Sequence, residues 1–153
     1  PLALSPDGGD LVVMDPSRNA GQSDVVVVDT EMLAPGDVQE AVAMTWPAAA
    51  AVSDDGLLHV SGYDEISRPR MQTIDLADMS TVSKRVVGTA VAGISVVEDG
   101  RVLVAQTDRR RLLLMDPDGT NRQLIALPGQ QPMAVGAGSV SLPGPRNVLE
   151  CAC

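Results

Sequence analysis

An all-β chain of repeated four-stranded antiparallel sheets is the fold this 153-residue sequence predicts. Three observations carry it. The apolar residues come in short runs separated by turn residues. Two turn signatures recur in step along the chain. No stretch sustains the i, i+3, i+4, i+7 spacing of an amphipathic helix.

The runs fall at 11–14, 24–29, 57–60, 71–74, 85–87, 94–97, 102–105, 112–115 and 123–127, each bounded by Gly, Pro, Asp or Asn. Val25, Val26, Val27 and Val28 are apolar at every position, which suits a strand covered on both faces. Residues 41–51 are the best helical candidate, but Pro47 removes a donor and crowds the preceding turn. Fourteen glycines and eleven prolines spread along the chain add frequent turns.

The repeat is the stronger signal. Asp7-Gly8, Asp55-Gly56 and Asp99-Gly100 each lie between two apolar strands. Asp-Gly suits a tight hairpin because both residues tolerate positive φ. Asp29, Asp75 and Asp116 each close an apolar run, where an aspartate bonds its own downstream backbone and starts a turn. The two series interleave with a common period of roughly 45 residues, which with four strands per repeat is the size of a β-propeller blade.

The expected strands are 2–4, 11–14, 24–29 and 38–44 in the first blade. The second has 49–52, 57–61, 71–74 and 84–87, and the third 94–97, 102–106, 112–115 and 123–127. Segments 133–135 and 140–142 read as the first hairpin of a fourth. The sequence thus predicts a β-propeller fragment of three blades plus part of a fourth. Blade boundaries fall near 1–46, 47–90, 91–130 and 131–142, and 143–153 is a tail outside the repeat. Three blades cannot close a ring of the usual size, so missing blades, or self-association through exposed blade faces, are expected. The start at Pro1 rather than Met adds to the expectation of a longer chain.

On Asp29-Thr30, Pro47, Ser53-Asp54-Asp55-Gly56 and Ser5-Pro6-Asp7-Gly8, the chain resembles the YVTN-type propeller repeats of bacterial and archaeal surface and periplasmic proteins. The likeness covers about residues 1–135. It departs where that family prefers Tyr-Val, since residues 11–14 and 57–60 carry no aromatic. The repeat is also similar to NHL-type and lactonase-like or lyase-like propellers. The resemblance implies a periplasmic, cell-surface or secreted location and a protein or envelope component as partner.

Composition narrows the function. A net charge of −9 repels phosphate backbones, so nucleic acid is excluded as a partner. Arg109, Arg110 and Arg111 sit at an expected turn and read as a solvated loop. No apolar run approaches the roughly 20 residues of a membrane span. Trp46 and Tyr63 are the only aromatics, so Val, Leu, Ile, Met and Ala must fill the core.

No catalytic motif appears. The single histidine, His59, lies within a strand run and reads as a structural residue. There is no Gly-x-Ser-x-Gly elbow, glycine-rich phosphate loop or Asp-rich calcium loop. Cys151 and Cys153 are too close in sequence for a useful disulfide and lack partners for a metal. No cofactor and no metal site are expected. The reading is a non-catalytic binding or scaffold module. The alternative is an enzymatic propeller, a lactonase-like hydrolase or a lyase, holding a metal in the central channel on blades outside this sequence. A sensor domain of a larger envelope protein is a third possibility.

In either case the site belongs where unequal loops meet on one face of a regular scaffold. These are the connections from the second to the third strand of each blade and from one blade to the next. The residues there are Arg18 and Asn19, then Trp46, Tyr63, Asp64 and Arg68, then Arg109. Trp46 serves either as a plug between blades or as a contact residue.

Overall fold

The computed structural model describes residues 2–14, 25–31, 38–42, 44–64, 66–87 and 91–129. Arg18 and Asn19, the expected fourth-blade hairpin and the tail lie outside these residues. The described chain forms three four-stranded antiparallel sheets in sequence order. The first holds β1 (Leu2–Leu4), β2 (Asp10–Met14), β3 (Val25–Asp29) and β4 (Val38–Val42). The second holds β5 (Thr45–Val52), β6 (Leu57–Tyr63), β7 (Pro69–Asp75) and β8 (Thr81–Val86). The third holds β9 (Val91–Val96), β10 (Val102–Gln106), β11 (Arg111–Met115) and β12 (Gln123–Ala126). The only helical turn among the described residues is a 3-10 turn at Thr107–Arg109.

Each sheet is a simple meander, so its turns alternate between two ends. Call these the hairpin end and the loop end. At the hairpin end, Gly8, Gly56 and Gly100 take φ of +80°, +79° and +80°, and their N–H groups donate to the carbonyls of Ser5, Ser53 and Val97. Only the glycine of each Asp-Gly pair adopts positive φ. The aspartate contributes through its carboxylate instead. Ser5 Oγ donates to Asp7 Oδ1 at 2.6 Å, and Ser53 Oγ donates to Asp55 in the same way. The third hairpin has valine at that place, and there the Arg101 N–H and guanidinium bond Asp99.

The sheets stack through their faces. In the first seam, Val12, Met14, Val25 and Val27 of the first sheet meet Val52, Leu58, Val60 and Ile74 of the second. In the second seam, Ala49 and Met71 meet Ile94, Val102, Val104, Leu113 and Met115 of the third. Alternation of side chains along each strand puts one set of residues toward each neighbour. Burying them is worth about 1.5–3 kcal/mol per large aliphatic side chain, and with no phenylalanine the many small contributions must add up.

Register makes equivalent positions comparable. The cross-strand pair Val12↔Val27 of the first sheet corresponds to His59↔Thr73 in the second and Leu103↔Leu114 in the third. His59 is fully buried, and its Nδ1 lies 3.1 Å from Thr73 Oγ1. Thr73 Oγ1 in turn donates to the Pro117 carbonyl of the third sheet at 2.9 Å. The single hydroxyl proton is spent on Pro117, so His59 must donate through Nδ1–H. That leaves Nε2 as a bare acceptor with no partner. Ser83 Oγ and Arg85 Nε of the second sheet also donate across this seam, to Pro117 and Asp118 carbonyls. Gly119 allows the approach: a Cβ there would lie 2.7 Å from Arg85 Cγ.

The far face of the first sheet is different. Leu2 and Leu4 are 68% and 56% exposed. The residues paired with or next to them on that face, Leu11, Val13, Val26 and Val28, are half-buried. Their equivalents Leu58, Val60 and Ile74 in the second sheet are buried under the first.

Candidate binding face

The loop end gathers four of the predicted residues in the second sheet. Strand β5 starts earlier than its apolar run suggests, at Thr45, so Trp46 and Pro47 lie inside the strand rather than in the connection before it. Thr45 pairs with Tyr63 but Ala49 pairs with Ser61, so the backbone bulges between them. At the bulge Trp46 has φ +47°, a left-handed conformation unusual for a bulky residue and more so before proline. Bulges of this kind re-aim side chains. Here the result is an indole 43% exposed while Pro47 is buried. The indole meets Tyr63 edge to face, with centroids 6.0 Å apart and rings at 76°.

Asp64 follows Tyr63 and organises the next loop. Its Oδ1 accepts from the backbone N–H groups of Ile66 and Arg68, and its Oδ2 accepts from Arg68 Nε and Arg70 Nε, both at 2.8 Å. Partial burial pushes the carboxyl up, but the bonds from Arg68, Arg70 and Ile66 outweigh it and hold the group well below the usual carboxylate range. The loop also bears Ser67 at φ +60°. Arg68 is thereby fixed at one end while its side chain stays 52% exposed.

Arg109 stands in the equivalent loop of the third sheet, exposed beside Arg110, which has φ +49°. The turn is closed by Arg110 N–H to Thr107 O and by Leu127 N–H to Arg110 O. A run of bonds links it to the second sheet. Arg111 Nε donates to Gln106 Oε1, Gln106 Nε2 donates to Val87 O at 2.8 Å, and Val87 N–H donates to Pro69 O. The two loops are therefore held in a fixed relation.

Sequence reasoning missed Arg70 and Gln106. Arg70 falls between the expected loop and the apolar run that marks β7, so the sequence assigns it to neither. Gln106 carried a signal, a polar residue ending an apolar strand, and it is buried at 1% exposure. Among the described residues no group of three or more His, Cys, Asp or Glu is placed to hold a metal ion.

No family model matches the chain, and no curated protein matches it. Solved structures do. The fold is that of a β-propeller. Kuenenia stuttgartiensis hydrazine synthase superposes with a TM-score of 0.69 at 24% identity, covering 87% of this chain and 37% of its own. A chain of the mitotic checkpoint complex gives 0.68 at 15% identity, covering 87% and 40%. A chain of the nidogen/laminin complex gives 0.67 at 14%, covering 87% and 49%. The chain thus spans less than half the length of these neighbours. Two of the three come from protein complexes. Among the described residues no helix is long and apolar enough to cross a membrane.

Proposed function

We propose that this chain is a non-catalytic binding and scaffold module, part of a YVTN-type or NHL-like propeller in a larger envelope or secreted protein. It takes a protein partner on the loop end. The observation that carries the reading is Trp46: the chain's only tryptophan stands exposed on a strained bulge, braced by Tyr63 beside the Asp64–Arg68 loop. Strain of this sort persists where surrounding structure imposes it, and it gathers at ligand-contacting positions. Exposed aromatics and arginines are the residues that dominate protein interfaces. The open aliphatic face of the first sheet, with Leu2 and Leu4 at its edge, supports further blades or a second copy completing the ring.

Photo-crosslinking tests the reading. A benzoylphenylalanine at position 68 is expected to capture a partner protein from native envelope extract, and one at position 99, at the hairpin end, is not. Capture from position 99 alone would overturn the assignment, as would metal-dependent lactone hydrolysis by the chain.

A further inference from the structure

We infer that the loop end recognises an acidic peptide segment carrying an apolar side chain. Its carboxylates meet the guanidinium groups of Arg109 and Arg110, and its apolar side chain lies on Trp46. This rests on the loop end being the binding face and names what binds there.

The charge distribution carries it. The chain is strongly acidic as a whole, yet its acids are not evenly placed. Asp7, Asp55, Asp99 and Asp118 lie in hairpin-end turns, and Asp29 and Asp75 end the strands that enter two others. They crowd one another enough that burial together with Asp7 and Asp29 pushes the Asp10 carboxyl up. At the loop end, Arg68 and Arg70 are balanced in sequence by Asp64 and Glu65. The surplus of positive charge sits in the third sheet, where Asp108 alone accompanies Arg109, Arg110 and Arg111. Arg111 is held by Gln106. Arg109 and Arg110 are exposed, and the ion pairs among the described residues are Arg68–Asp64, Arg70–Asp64 and Arg101–Asp99. Among the described residues these two guanidinium groups therefore have no carboxylate partner.

Geometry adds a second, independent line. Trp46, Ser67 and Arg110 each hold a left-handed backbone that glycine or asparagine would adopt with less strain. These three lie at the loop end, while Met79 and Asn121, at φ +57° and +49°, hold the same conformation in hairpin-end turns. The Gln106–Val87 bond ties the sheet that carries the exposed Trp46 to the sheet that carries the Arg109–Arg110 turn. Guanidinium forks match carboxylates, and desolvation beside an aromatic strengthens the pairing. A long polyanion such as nucleic acid meets the field of a chain with net charge −9. A short acidic peptide touches only the cationic end.

The chain's single tryptophan makes the test direct. A short peptide alternating Glu and Leu, titrated into the full chain, is expected to shift Trp46 emission saturably and to bind more weakly as salt rises. The Lys–Leu counterpart and a short oligothymidylate are not. Arg109→Glu with Arg110→Glu is expected to weaken the acidic peptide by about tenfold or more, while Asp99→Lys leaves it unchanged. If the reversal does not fold, Arg109→Gln with Arg110→Gln removes the charge alone and is read by the same titration. Equal or tighter binding of the basic peptide or the oligonucleotide overturns the inference, and so does indifference to both arginine variants. If the acidic peptide fails while crosslinking at position 68 still captures a partner, acidic recognition falls and the binding face stands. If both fail, both fall.

Discussion

The two seams between sheets solve the same packing problem with different chemistry. In the first, the cross-strand pair Val12↔Val27 is aliphatic and packs against Leu58, Val60 and Ile74. In the second, the equivalent pair is His59↔Thr73, and the seam is crossed by hydrogen bonds to Pro117 and Asp118. An aliphatic seam tolerates any partner of the right shape. A seam with directed bonds fixes which turn of the neighbour sits where, at the cost of burying a histidine nitrogen with no partner. The second seam is also the one that holds the loop-end turns of the second and third sheets in register.

The largest expected effect breaks the first seam. Leu58→Ala removes a fully buried side chain from between two sheets and should cost about 2–5 kcal/mol in urea unfolding. A loss no greater than that of an exposed-site variant would mean the first two sheets do not pack as described.

The next effect separates the seams by pH. Burial lowers the His59 pKa to about 4, slightly opposed by Asp55, against an ordinary value of 6.5. The unfolded chain therefore takes up a proton at a pH where the folded chain does not. The stabilisation is fully present above pH 6.5 and is lost as pH falls toward 4, by about 3 kcal/mol over that window. His59→Val, which writes the first seam's residue into the second, should flatten that slope in unfolding measured at pH 7 and pH 4.5. An unchanged slope would show that His59 is not the titrating group.

The smallest effect sharpens the comparison further. Thr73→Val, again the first seam's residue, leaves the His59 N–H without its acceptor and the Pro117 carbonyl with Ser83 Oγ alone. It should cost about 1–3 kcal/mol, and less when His59→Val is already present. Strict additivity in that double-mutant cycle would show that the two side chains do not form one network.

Much of the architecture was legible because its causes are local. Asp-Gly turns and Asp-closed strands need only neighbouring residues, and the strands they bracket sit within a few residues of their expected places. The site was less legible for the same reason. Trp46 reads as a connection residue because nothing in the neighbouring sequence announces a bulge: it arises from the register with β6, where Thr45 pairs with Tyr63 but Ala49 with Ser61. The sequence suggests positive φ for both residues of Asp-Gly, whereas the aspartate works through its carboxylate. Arg70 and Gln106 act through partners on other strands, which periodicity does not reveal.

Leu2 and Leu4, left open on the first sheet, have a practical consequence for anyone handling the chain. Copies carrying nine surplus negative charges keep their greasy edges apart in dilute buffer. Near 0.15 M salt the repulsion reaches only about 8 Å, and the same leucines are expected to adhere. Raising the salt is therefore expected to favour association of copies, which light scattering across a salt series would read.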